Sequence, residues 1–116
     1  MKIIKEKISI KELKKMAEEE FGSLIKAVVD VDKKIMAIGG AMHADEEALL
    51  LKNGSKQESL WGINLYPEAK SKDFKDFIEF DSVINLRPLQ GNLSRDVKSA
   101  KIRKNIADIV KQLIER

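Results

Sequence analysis

Apolar residues recur along this chain with two periods, and the switches between them mark out its elements. Ile3 and Ile4 open a short strand within residues 1–7. Leu13, Met16, Ala17 and Phe21 then fall at helical spacing. Ser9 stands three residues before Glu12, as in a capping box, and Gly22 supplies a stop, so a helix is expected over about 9–21. Residues rich in β-branched side chains follow from Leu24 to Val31 and again from Ile35 to Ile38. The intervening Asp32-Lys33-Lys34 predicts a hairpin, although its turn lacks glycine.

Gly39-Gly40 ends that second strand. Asp45 to Lys52 reads as a short helix with Asp45 at its N-cap, stopped by Asn53-Gly54. Leu60 to Tyr66 alternates as a strand up to Pro67, and the charged stretch from Glu68 to Asp76 reads as a mobile connection. Alternation resumes from Ile78 to Leu86, with Ile78, Phe80, Ile84 and Leu86 on one face and Glu79, Asp81 and Asn85 on the other. These two strands are expected to form a second hairpin. A closing helix over about 99–115 places Ile102, Ile106, Ile109, Val110 and Leu113 on one stripe.

The pattern predicts an α+β fold, a single domain spanning 1–116 without repeats or low-complexity segments. Its sheet is largely antiparallel with about five strands. Two longer helices (about 9–21 and 99–115) lie against one face, and one short helix (about 45–52) completes the chain.

Composition narrows the class. A chain of 116 residues buries a sufficient core without staples, and the absence of cysteine excludes disulfides, thiolate metal sites and a cysteine nucleophile. It also suits a reducing cytoplasm. The amino terminus lacks the apolar stretch of a signal peptide, and no run reaches the roughly 18 apolar residues of a membrane span, so a soluble cytoplasmic protein without a membrane partner is expected. The abundance of lysine and glutamate resembles thermophile compositions.

The net charge of +3 is too small to imply a polyanionic partner. Residues 95–116 carry seven basic and three acidic side chains, including Lys98, Lys101, Arg103, Lys104 and Lys111. Asp108 interrupts that stripe and no aromatic residue accompanies it to stack on bases. A solvated helix face is therefore the stronger reading, and nucleic acid the weaker one.

Three segments could carry chemistry. The first surrounds the only histidine, His43, between Gly39-Gly40 and the acids Asp45-Glu46-Glu47. Imidazole beside carboxylates can act as a base or hold a divalent metal, but the spacing lacks the two-histidine pattern of zinc-hydrolase helices. The plainer reading makes Asp45 a helix cap with the glutamates in its first turn.

The second segment runs from Asn85 to Arg95 and holds two of only four arginines among 22 basic residues. Arginine offers a planar fork that grips carboxylate or phosphate where lysine cannot. Asn85, Gln90, Asn92 and Ser94 add neutral donors and acceptors. Here the plainer reading is a polar loop whose arginines pair with Asp81 or with the acids at 45–47.

The third is the strand Trp61 to Tyr66. If Asn64 and Asn85 share a sheet face, that face carries an unusual polar centre that meets water or lines a pocket. Phosphate-loop and nucleophile-elbow patterns are absent.

Val28 to Tyr66, with His43-Ala44-Asp45-Glu46-Glu47-Ala48-Leu49-Leu50-Leu51 and Leu60-Trp61-Gly62-Ile63-Asn64 inside it, resembles a small prokaryotic family of unknown function. Ile78-Glu79-Phe80-Asp81, Asn85-Leu86-Arg87-Pro88 and Gln90-Gly91-Asn92 extend the likeness through most of the chain. The resemblance implies no activity, cofactor or catalytic residue.

The leading expectation is a pocket for an anionic small molecule or peptide carboxylate. Arg87 and Arg95 would clamp the anion, Asn85, Asn92 and Asn64 would orient it, and His43 would line the pocket. The alternatives are a histidine- or metal-assisted hydrolase using His43, a nucleic-acid-binding protein, and a regulatory interaction protein or homo-oligomer formed through an exposed sheet edge. Whether the protein is an enzyme stays open at this level.

Overall fold

The computed structural model describes residues 1–20, 22–70 and 76–115. In chain order these form β1 (Lys2–Ile4), β2 (Ile8–Ser9), α1 (Ile10–Glu20), β3 (Ile25–Asp30), β4 (Ile35–Ile38), α2 (His43–Lys52), β5 (Leu60–Leu65), β6 (Ile78–Glu79), α3 (Ala100–Leu113) and β7 (Ile114–Glu115). Five strands make one antiparallel sheet in the order β1-β4-β3-β5-β6. The fold is α+β, as the alternating periods predicted.

Alternation along the strands gives the sheet two different faces. Ile25, Ala27 and Val29 of β3, Met36 and Ile38 of β4, and Trp61, Ile63 and Leu65 of β5 form the main core. Leu13 and Ala17 of α1 and Ile106, Ile109, Val110 and Leu113 of α3 cover it. On the opposite face Val28, Ala37 and Leu60 meet Leu50 of α2 in a much smaller apolar cluster. The two longer helices therefore share one face, and the short helix takes the other.

Several boundaries differ from expectation for identifiable reasons. Ser9 does accept from Glu12 N–H, at 3.1 Å, but it also belongs to β2, which pairs in parallel with β7. That pairing ends the closing helix at Leu113, because Ile114 and Glu115 leave it to match Ile8 and Ser9. The expected end of the first helix, Phe21, lies outside the described residues, as do positions 71–75 of the expected mobile connection. The hairpin of β3 and β4 forms without glycine because Lys34 itself adopts φ +58°. Buried Asp30 braces that turn, its Oδ1 accepting from Asp32 and Lys33 N–H, both at 2.9 Å.

Asp45 is not the cap of α2. The helix starts at His43, with extended Met42 at the N-cap, its carbonyl accepting from Asp45 and Glu46 N–H. The strand expected over 78–86 also stops at Glu79. A short 3₁₀ turn follows at Val83–Asn85, capped by Ser82, whose hydroxyl accepts from Ile84 N–H. The second expected hairpin survives as the antiparallel pairing of β5 with the two residues of β6.

Candidate functional site

Because β6 pairs only with Asn64 and Leu65, the backbone of β5 at Leu60 and Gly62 runs past its partner strand. Unpaired backbone groups buried there would be costly. Side chains take the place of the missing strand. The Oδ1 of fully buried Asn85 accepts from Gly62 N–H at 2.8 Å, and its Nδ2 donates to Gly62 O at 2.9 Å and to Arg95 O at 3.0 Å. The asparagine amide thus acts as a single peptide unit added to the sheet. Gly62 is required for this approach, since a Cβ there would lie 2.5 Å from the Cβ and Oγ of Ser82.

Arg87 completes the edge. Its Nη2 donates to Leu60 O, its Nε to Ile84 O at 3.1 Å and its Nη1 to Gln90 Oε1 at 3.4 Å. The guanidinium lies 4.7 Å from the centre of the Trp61 ring. Glu47 approaches it to 3.7 Å. Burial raises the Glu47 pKa against the pull of Arg87, and burial lowers that of Arg87 against the pull of Glu47. Desolvation outweighs attraction on both sides of this pair.

Beyond Arg87 the chain makes a tight hairpin. Arg87 and Asn92 exchange backbone hydrogen bonds of 2.8 and 3.0 Å across the loop Pro88–Gly91, which closes with Gly91 at φ +77°. Both side chains of the pair point inward. Buried Asn92 donates to the carbonyls of Asn85 and Asp96, each at 2.7 Å, and accepts from Lys98 N–H at 2.9 Å. Leu86 and Leu93, one step along, face the other way.

The consequence is inverted polarity along the 3₁₀ turn and the hairpin that follows it. Asn85, Arg87 and Asn92 are buried, whereas Val83, Leu86, Leu89 and Leu93 are 62%, 45%, 103% and 71% exposed. Along the chain, Arg87 is the only ionisable side chain between positions 83 and 93.

The remaining predicted site residues also dock on or beside β5. Buried His43 shares a hydrogen bond of 2.8 Å between Nε2 and Ile63 O. A carbonyl only accepts, so Nε2 carries the proton and Nδ1 keeps its lone pair. Burial, aided by the charge of Lys26, lowers the His43 pKa against the hydrogen bond to Ile63 and the charge of Asp81. Asn64 Nδ2 donates to Glu79 Oε1 at 2.8 Å, and Tyr66 O–H donates to the same oxygen at 3.0 Å. Exposed Arg95 pairs with Asp81 at 2.7 Å.

His43, Asn85 and Arg87 therefore converge on one strand, at Ile63, Gly62 and Leu60. They meet it as braces on its backbone. None of the six predicted residues lines any of five surface clefts of about 210 to 520 Å³. Among the described residues, no group of three or more His, Asp and Glu side chains is poised to hold a metal.

Sequence reasoning missed two features. Glu46, expected in the first turn of the helix, is fully buried with Oε2 accepting from Gly40 N–H at 3.0 Å and Oε1 unpartnered. Burial pushes its pKa up to about 9, so it is protonated at neutral pH. Its spacing from His43 and Leu50, three before and four after, places it on the buried stripe of α2. The exposure of Leu86, Leu89 and Leu93 is the other, since periodicity at 78–86 does not say which side of the chain meets the protein.

A model of the family described as protein of unknown function (DUF5674) matches residues 2–113, so the chain belongs to that family. No curated protein and no solved structure matches the chain.

Proposed function

We infer, with no activity to carry over from the family, that this protein is an interaction module whose docking element is the turn and hairpin from Val83 to Leu93. Its partner is a protein surface with an uncharged apolar recess. The inverted polarity of this stretch carries this reading. Exposed apolar side chains scattered singly are ordinary, but four within the eleven positions from Val83 to Leu93 point to an interaction site. Buried polar braces hold the stretch in shape, so little conformational freedom is lost when a partner binds.

The same observation bears on the anion-clamp reading. Arg87 would have to leave Leu60 O, Ile84 O and the Trp61 face to grip a ligand, and Arg95 would have to release Asp81. As braces, these residues explain the hairpin without a ligand.

A photo-crosslinking residue placed at Leu89 or Leu93 in living cells tests the module. Discrete protein adducts are expected at both positions and not at exposed Gln112 on α3. An equal adduct pattern at all three, or none at 89 and 93, overturns the reading. Recruitment of the purified protein to neutral lipid vesicles, abolished by Leu89→Glu, would also overturn it in favour of a membrane surface.

A further inference from the structure

Among the described residues, Lys34 is the only non-glycine with a positive φ, at +58°. It closes the turn between β3 and β4, a place that glycine or asparagine fills at lower backbone cost. Residues held in such sparsely populated backbone regions cluster at ligand and active sites.

Lys34 lines two clefts, and Gln112 of α3 is shared by both. The first, of about 310 Å³, is cationic. Lys5 and Lys7 from the connection between β1 and β2 join Lys34 there, against one carboxylate, Glu6. Among the described residues none of these three lysines is ion-paired, unlike Lys2, Lys14 and Lys104. The second cleft, of about 210 Å³, has no such excess. Its polar lining is Asn105, Asp108 and Gln112 beside Lys34, and Lys104 pairs with Asp108 at 3.1 Å.

The plainer reading is that the lysines offset the dipole of α3, whose last residues, Gln112 and Leu113, line the cationic cleft. A helix end carries only about half a negative charge. Three ammonium groups against one carboxylate exceed that demand and leave the cleft positive.

We propose that the two clefts form one binding site for a phosphate monoester of a small hydroxyl-bearing molecule, a sugar phosphate or a nucleotide. The phosphate sits among Lys5, Lys7 and Lys34, whose ammonium groups act on it as point charges. The uncharged body extends past Lys34 and Gln112 into the second cleft. There Asp108 and the amide oxygens of Asn105 and Gln112 accept from hydroxyl groups, while Val31 and Ile109 supply an apolar wall. Asp108 repels a second anionic group placed there. Neither cleft includes a residue of the Val83–Leu93 stretch, so the proposal is independent of the docking reading.

Titration of nitrogen-15-labelled protein with ribose 5-phosphate, AMP and inorganic phosphate, followed by amide NMR shifts, tests the proposal. Both esters are expected to shift Lys5, Lys7, Lys34, Asn105 and Gln112 saturably, and the tighter of the two identifies the body as sugar or nucleoside. Inorganic phosphate should shift the lysine cleft alone, and more weakly. Lys34→Asn suits the turn, so it should keep or raise the urea midpoint while weakening ester binding about two- to fivefold, the share of one exposed charge. Combined with Lys5→Gln and Lys7→Gln it should weaken binding by about tenfold to a hundredfold. Lys101→Gln, at an exposed position near the start of α3, should leave binding unchanged. An equal loss at Lys101 would reduce the lysines to diffuse surface charge and overturn the proposal. So would esters that bind no tighter than inorganic phosphate, or a titration without saturable shifts.

Discussion

The two faces of the sheet are held together by different physics. The face under α1 and α3 is an apolar core whose side chains fill space without needing particular partners. The face under α2 has four buried apolar residues, and polar groups brace the chain around it. Asp30 reaches Ser55, Glu46 reaches Gly40, Asn64 reaches Glu79, and Asn85 reaches Gly62. A core of the first kind tolerates changes that conserve volume. A face of the second kind does not tolerate loss of one partner, because the other is left buried and unsatisfied. The polar face also determines shape, since its hydrogen bonds fix where the Val83–Leu93 turn and hairpin stand.

The contrast is sharpest at Asn85. Asn85→Ala leaves Gly62 N–H and C=O without partners, and a loss of about 3–5 kcal/mol is expected in urea unfolding. A loss below that of an ordinary core truncation would show that water replaces the amide. Next comes Gly62→Ala, where a single methyl group meets Ser82 and should cost about 1–3 kcal/mol. The double variant with Ser82→Gly should recover part of that loss, which separates crowding from a general intolerance of alanine.

Glu46 tests the polar face through pH. Its folded pKa of about 9 lies above its ordinary value of 4.5, so between these values the unfolded chain gives up a proton that the folded protein keeps. Stability therefore falls as pH rises through this window, by about 1.4 kcal/mol per pH unit from this group. Glu46→Gln should remove that slope and raise the melting temperature increasingly from pH 5 to pH 9. His43 acts in the opposite direction. Its lowered folded pKa means that stability is lost as pH falls below 6.5, where the unfolded imidazole takes a proton first. A Glu46→Gln protein whose pH profile matched the wild type would show that Glu46 is ionised in the folded state.

The smallest effect belongs to the apolar face. Ile63→Val, in the centre of β5, should cost only about 0.5–1.5 kcal/mol despite complete burial. A cost equal to that of Asn85→Ala would erase the distinction between the two faces.

Much of the fold was legible because periodicity is a local property. Leu13 and Ala17, or Ile106, Ile109 and Val110, declare a buried helix face at spacings readable along the chain. The β3–β4 hairpin was likewise visible in two runs rich in β-branched residues. Local pattern could not show the β2–β7 pairing, which joins residues more than a hundred positions apart. Nor could it show that Asn85 would replace a strand, because that role exists only where β5 outruns β6.

His43, Asn64, Asn85, Arg87, Asn92 and Arg95 stand out in the sequence as the only histidine, two of four arginines and asparagines near strands. What they do depends on direction. Asn85 is buried and its neighbour Leu86 exposed, and which of the two faces the protein depends on what else is there to meet it. The sequence by itself determined the α+β class, the helix stripes and the two hydrophobic runs of the first hairpin, because each is written in short-range spacing. Only the tertiary structure decided that the polar side of the 83–93 turn and hairpin faces inward and its leucines outward. The physical reason is the unpaired backbone of Leu60 and Gly62, whose hydrogen-bonding demand outweighs the burial of a few leucines.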